Sequence, residues 1–288
     1  MSNINWSDKN DGVVVNLTYS KPSEYEQWVL LTSDVHKDSK KCNTSYIKKH
    51  LDQALEKKAL IIDNGDWFAV MGGKYDKRTS KSDILPKFQK GNYFDLVVDD
   101  SIDFLGPYAK NIVVLGEGNH EQAVNARHET NLTKRLAAGL NLKYGGNVLH
   151  QKYDGFIKFY FSKKDNSSGH SMIMYRNHGF GGNSPATLGV SNTAKTQVMV
   201  DADIYVYGHI HNKWVVVRTK KSMDQNMNMV IKDQTHIQLS TYKDSTESQW
   251  EVSKGFAPPS LGGAWLKFYF QYVGDGKYML KCQTILID

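Results

Sequence analysis

Five short apolar runs, each stopped by an Asp, His or Asn, constrain this 288-residue chain more than any other feature of it. Trp28–Leu31 runs into Ser33-Asp34, and Ala59–Ile62 into Asp63-Asn64-Gly65-Asp66. Ile112–Leu115 runs into Gly116-Glu117-Gly118-Asn119-His120-Glu121, and Met172–Tyr175 into Arg176-Asn177-His178. The last, Ile204–Tyr207, is followed by Gly208-His209-Ile210-His211. Short continuous apolar runs bounded by turn residues read as strands buried on both faces. In α/β sheets ligands bind beyond the carboxyl ends of the strands, so the polar residues that stop these runs are expected to converge.

Between the runs, Ser45–Lys58 places Ile47, Leu51 and Leu55 four residues apart, along one helix face. Phe94–Tyr108, Glu121–Leu140 and Ala186–Val200 read as further helices. Strand–helix alternation predicts an α/β domain. Val13–Leu17 reads as a strand and is followed by a connection containing Pro22. Residues 1–25 are therefore set apart as an N-terminal extension, a strand or an arm, ahead of one domain over residues 26–288. From Lys213 onward the pattern is strands only: Val215–Arg218, Met227–Ile231, His236–Ser240, Trp265–Val273 and Tyr278–Ile287 are expected to form a closing antiparallel sheet.

Composition narrows the setting. A hydrophobic content of 40% is enough for a core and excludes global disorder. No apolar run approaches the ~18 residues of a membrane span, and residues 1–11 lack the apolar stretch of a secretory signal. Two cysteines, Cys42 and Cys282, make neither a disulfide framework nor a Cys-based zinc site. The expectation is a cytoplasmic protein with no membrane partner, and the formal charge of +6 favours anionic partners.

The residues that stop the runs offer oxygen and imidazole donors without sulfur, a set that suits Mn²⁺, Fe, Zn²⁺ or Ni²⁺. Asp34-Val35-His36 and His209-Ile210-His211 are expected to be extended segments, each presenting its two outer side chains on one side.

Asp34-x-His36, Gly65-Asp66, Gly118-Asn119-His120-Glu121, His178 and Gly208-His209-x-His211, in that order, resemble the motif set of the calcineurin-like metallophosphoesterases. The chain also resembles stand-alone bacteriophage-encoded members of that family, over Lys74–Asp83 and Arg127-His128-Glu129-Thr130. Similarity to the double-strand-break repair exonuclease branch is more distant, because the sequence ends at Asp288 with no long capping domain or ATPase-docking tail. The resemblance implies a four-layer α/β/β/α sandwich holding two divalent transition-metal ions, Mn²⁺ foremost. Asp34, His36 and His211 would hold the first ion, Asn119, His178 and His209 the second, and Asp66 would bridge them. Two cations ~3.5–4 Å apart repel unless an anion lies between them, which fits such a bridge. The family's reaction is attack of a metal-bound hydroxide on phosphorus. His120 would then lie near the leaving group, as an acid or a charge stabiliser, and Glu121 would orient ligands from behind.

His50, His150, His170 and His236 read as structural or surface histidines, whereas His128 faces either the site or solvent. The segment Lys74–Ser82, with Tyr75, Arg78 and Lys81, mixes cations, hydroxyls and an aromatic ring. It is either a substrate-binding loop or a solvated charged loop. Gly179–Asn183 either lets backbone approach a phosphate or simply makes a turn. The function implied is a phosphodiesterase acting on DNA, RNA or a nucleotide. One alternative is a phosphomonoesterase acting on nucleotides, small phosphorylated metabolites or phosphoproteins. The other is a non-catalytic scaffold, which the retention of every ligand and of His120 disfavours.

Overall fold

The computed structural model describes residues 4–71, 81–164, 169–182, 184, 186–224, 226–244 and 259–287. In chain order the elements are β1 (Ile4–Lys9), β2 (Gly12–Tyr19), β3 (Glu26–Thr32), α1 (Thr44–Glu56), β4 (Leu60–Asp63), α2 (Tyr93–Leu105), β5 (Ile112–Gly116), α3 (Asn119–His128), α4 (Leu132–Tyr144), β6 (Leu149–Gln151), β7 (Asp154–Lys163), β8 (Gly169–Asn177), α5 (Ser191–Met199), β9 (Ile204–Tyr207), β10 (Trp214–Met223), β11 (Met229–Gln238), β12 (Ala264–Gly274) and β13 (Lys277–Leu286). All five apolar runs are strands, at β3, β4, β5, β8 and β9. Among the described residues, no helix is long and apolar enough to cross a membrane.

The strands form two sheets. One has six strands in the order β13-β12-β3-β4-β5-β6, with β3 to β6 parallel and β12 and β13 antiparallel beside them. The other has seven, in the order β1-β2-β7-β8-β9-β11-β10. Val29 and Leu31 of β3 pack into one core with Val15 and Leu17 of β2, Phe159 and Phe161 of β7, and Phe268 of β12, all fully buried. This is the layer between the sheets. Leu30, one position out of phase, instead joins Leu51 of α1, Val97 of α2 and Leu136 of α4. The opposite face of the seven-stranded sheet is thin: Tyr205 and Tyr207 of β9 form a small cluster with Ala202, and the neighbouring α5 buries only Thr193 and Thr196. The result is a single mixed α/β domain of four layers, helix–sheet–sheet–helix. Each fully buried large apolar side chain contributes about 1.5–3 kcal/mol, so the two inner layers carry the stability and α5 adds little.

Several expectations are corrected. Glu121–Leu140 is two helices, because Glu129 takes a left-handed conformation (φ 52°) and Asn131 caps α4 by accepting the Lys134 N–H at 2.8 Å. Met227–Ile231 and His236–Ser240 belong largely to one strand, β11, and Ala186–Val200 shrinks to α5. The C-terminal strands do not close one antiparallel sheet. The pair β10–β11 extends the seven-stranded sheet, with β11 parallel to β9, whereas β12–β13 adds to the edge of β3. Residues 4–19 supply β1 and β2 to the seven-stranded sheet. Cys42 and Cys282 are unpaired, and burial raises both thiols, Cys282 to about 12. Neither thiol is a nucleophile at neutral pH.

Candidate metal centre

The ends of β3, β4 and β5 from one sheet meet those of β8 and β9 from the other, and backbone hydrogen bonds join the loops that follow. Asp34 N–H donates to Gly65 O (2.9 Å), His36 N–H to Asp66 O (3.0 Å) and Lys37 N–H to Trp67 O (2.8 Å). Gly208 N–H donates to His178 O (2.8 Å), and Asp34 O accepts the Thr241 hydroxyl (2.7 Å). Two glycines make this closeness feasible. A Cβ on Gly118 would lie 2.1 Å from Asp66 Oδ1, and one on Gly208 2.1 Å from Ser33 Oγ.

Asp34-x-His36 and His209-x-His211 are not extended, contrary to the expectation above. β3 ends at Thr32 and β9 at Tyr207, before the donors begin. Asp34 (φ 54°), His36 (49°), His209 (71°) and His211 (54°) all adopt left-handed backbone, as does Asp66 (55°). Left-handed, non-glycine, alternate residues still put both donors of each pair on one side, while Val35 and Ile210 between them are buried. Such conformations cost about 1–3 kcal/mol each and persist only where the surroundings over-determine them, as at ligand-binding sites.

The side chains that these loops gather form three overlapping groups placed to hold a metal ion: Asp34, His36 and His211; His36, Asp66 and His120; and Asp34, Asp66 and His178. Asp34 Oδ1 lies 3.1 Å from His211 Nε2, 3.9 Å from His178 Nε2 and 4.0 Å from His36 Nε2. Its other oxygen accepts from the Ser33 hydroxyl (2.6 Å) and the His209 N–H (3.0 Å). Asp66 Oδ2 is 3.2 Å from His178 Nε2, and Asp66 Oδ1 accepts the His120 N–H at 2.9 Å. His209 Nδ1 and Asn119 Oδ1 are 2.8 Å apart.

Two histidines stand out by what they lack. Both ring nitrogens of His36, and Nε2 of His178, are buried with no hydrogen-bond partner. Buried polar atoms are normally paired, and unpartnered imidazole nitrogens beside two buried carboxylates fit a divalent cation. His178 is also held from behind. Its Nδ1 donates to Asn64 O (3.0 Å), which leaves Nε2 facing the cluster. Asn64 is fixed in turn by the fully buried Arg176, whose Nε donates to Asn64 Oδ1 at 3.0 Å.

The electrostatics follow from burial and crowding. Burial opposes ionisation of Asp34, but His178 and His211 outweigh it and hold the carboxyl at about 2. Asp66 is likewise held well below the usual carboxylate range by His178 and His120, against its burial. Burial works to lower His178, yet Asp66 and Asp34 raise it to about 10. Burial and the neighbouring His120 depress His36 strongly.

Glu121 meets the site through backbone. Its carboxylate accepts the N–H groups of Asp66 (3.1 Å), Phe68 (2.9 Å) and Gly118 (2.8 Å), tying the second motif to the third. His120 belongs to one of the three groups, with Nε2 3.8 Å from Asp66 Oδ2 and Nδ1 2.5 Å from Ala69 O. His128 ends α3 with its ring against Phe94 of α2. His50 and His236 bond to Tyr242 and Tyr207, His150 pairs with Glu117, and His170 packs on Phe270. Tyr75, Arg78, Asn183 and the side chain of Lys81 lie outside the described residues. The sequence reading missed Asn64, Arg176, Thr241 and Asp38. Of these only Asp38, which continues the alternation Asp34-x-His36-x-Asp38, left a signal in the sequence.

No family model matches the sequence, and neither does any curated protein. Among solved structures the chain is similar to a conserved predicted phosphoesterase of Streptococcus pneumoniae TIGR4, at 11% identity and a TM-score of 0.32, over 90% of this chain and 99% of that one. It is also similar to Vps29 of Chaetomium thermophilum (8%, 0.34, over 90% and 96%). A third similar structure is GAP50, the anchor in the inner membrane complex of Plasmodium (12%, 0.36, over 91% and 89%). At these identities and TM-scores the likeness assigns no activity.

Proposed function

We propose that the chain is a metal-dependent phosphoric ester hydrolase of the calcineurin-like metallophosphoesterase type, with a preference for phosphodiesters of nucleic acids or nucleotides. The observation that carries this reading is the convergence of the unpartnered nitrogens of His36 and His178 on the buried carboxylates of Asp34 and Asp66. Asp34, His36 and His211 would hold one divalent ion, and Asn119, His178 and His209 the other. Asp66 would serve both, since it groups with His36 and His120 on one side and with Asp34 and His178 on the other. When bound, such ions neutralise charge on phosphoryl oxygens and acidify water, which is the chemistry that P–O hydrolysis needs. Mn²⁺ suits the nitrogen and oxygen donors.

The chain's own residues do the rest. Asn64 O fixes the tautomer of His178, Glu121 holds the Asp66 loop in place, and His120 presents a ring beside Asp66 for the leaving group or the phosphoryl oxygens. The preference for diesters is supported by the formal charge of +6, which favours polyanionic substrates.

The test is Mn²⁺-supported hydrolysis of p-nitrophenyl phosphate, bis-p-nitrophenyl phosphate, and single-stranded and duplex DNA, with Asp66→Asn as the control. The expected result is cleavage of the diester and of DNA that disappears in the variant. Hydrolysis of the monoester alone would replace the reading with a phosphatase, and no metal-dependent hydrolysis of any of them would leave a scaffold.

A further inference from the structure

We propose that Asp38 is a positioning residue for His120: it holds a strained turn at Ala69–Val70, and the carbonyl of that turn fixes the orientation of the imidazole. The inference rests on the placement of His120 beside the reacting phosphoryl group, proposed above. Asp38 is 1% exposed, and both of its oxygens are used. One accepts the Ala69 N–H at 2.6 Å, and the other accepts the Val70 N–H at 3.0 Å together with the Tyr93 hydroxyl. Val70, at φ 42°, is left-handed, a conformation that a β-branched residue almost never takes unforced. It costs about 1–3 kcal/mol and needs a clamp to persist. The Asp38 carboxylate is that clamp, because it bonds the two successive N–H groups that define the turn.

The turn ends in the contact that matters. Ala69 O lies 2.5 Å from His120 Nδ1. A carbonyl can only accept, so Nδ1 carries a proton, while Nε2 lies 3.8 Å from Asp66 Oδ2. With the His120 N–H bonded to Asp66 Oδ1, the residue is held at backbone and ring together. The same turn walls a cavity of about 220 Å³, lined among others by Asp38, Ala69, Met71, Lys243 and His120 itself. A ring that swung away from Ala69 O would therefore have space to enter, and Asp38 acts against that swing.

The experiment reads the ring directly, without metal or substrate. In nitrogen-15-resolved spectra of the metal-free full chain, the His120 signals are identified by their loss in His120→Ala, and the wild type is expected to show the Nδ1–H tautomer. Asp38→Asn should replace it with a mixture of tautomers. In the Mn²⁺-loaded protein the same variant should lower kcat roughly 10–100-fold with KM and metal content unchanged, the scale of a misoriented group. Tyr93→Phe, which removes one bond to Asp38, should shift both readouts the same way by less, and it serves if Asp38→Asn fails to fold. Adding Val70→Gly to Asp38→Asn should restore the tautomer, because glycine takes φ 42° without strain. A merely structural Asp38 would give the opposite result, since Val70→Gly also deletes a buried side chain. An unchanged His120 tautomer in Asp38→Asn overturns the proposal. If the tautomer responds but hydrolysis is indifferent to His120→Ala, the role given to His120 fails while the hold of Asp38 on the ring stands.

Discussion

The candidate centre has a floor and a rim, and the two are built differently. Asp34, His36, Asp66 and His178 form the floor, none of them more than 2% exposed. The rim is His120, His209, His211 and Asn119, all of them partly exposed, with the His211 side chain at 28%. Floor residues sit on loops joined by backbone hydrogen bonds, so their donors are fixed before any ligand arrives. They concentrate two carboxylates and two imidazoles where water cannot solvate them, and His–Asp pairing and hydrogen bonds from Ser33, His209 and His120 relieve part of that charge. The rim touches solvent, where a substrate must enter. Under the proposed function the floor would set whether cations bind, and the rim what they meet.

Breaking the floor should have the largest effect. Asp66→Asn is expected to abolish hydrolysis and to weaken metal binding by more than about 100-fold, beyond the 10–100-fold cost of losing an outer partner. Metal analysis after gel filtration checks it, and normal metal content would remove Asp66 from the bridging position. His120→Ala, on the rim, should lower turnover by about 10²-fold, the lower end for a general acid, while both ions stay bound. If it strips an ion, His120 is a ligand. A smaller change is expected for His211→Ala: one class of Mn²⁺ sites weakened by about tenfold and the other untouched, as two-site calorimetry would resolve.

The smallest expected effect is a pH dependence confined to the metal-free protein. His178, raised to about 10 by Asp66 and Asp34 despite burial, contributes stability that is fully present below about 6.5 and is lost as pH rises through about 10. Asp34, held at about 2 by His178 and His211 against its burial, contributes stability present above about 3.9 and lost only as pH falls through about 2. The metal-free melting temperature should therefore drop between pH 7 and 10, and Mn²⁺ binding near pH 8 should release a proton. Parallel melting curves with and without Mn²⁺ would show that the floor does not carry this charge.

Floor and rim donors alike follow strands that carry continuous apolar runs, and such a run is legible in the sequence without knowing its partners. Edge strand β1 is mostly exposed, so it carries no apolar signal. β7 was missed although Ile157, Phe159 and Phe161 alternate on its buried face, a period-two pattern set among polar residues rather than a run. The left-handed backbone of Asp34, His36, Asp66, His209 and His211 could not be foreseen, because none is a glycine and the strain is imposed by tertiary hydrogen bonds. Arg176, which in the sequence only follows the fourth apolar run, is a fully buried support beneath Asn64.

The central claim is that this floor and rim hold two ions through a shared Asp66. Calorimetric titration of Mn²⁺ into the metal-free chain, with elemental analysis of the product, tests it most directly. The account predicts two equivalents bound by the wild type and, in Asp66→Asn, the loss of tight binding at both sites. No saturable binding by the wild type, or an Asp66→Asn variant that titrates as the wild type does, would contradict it.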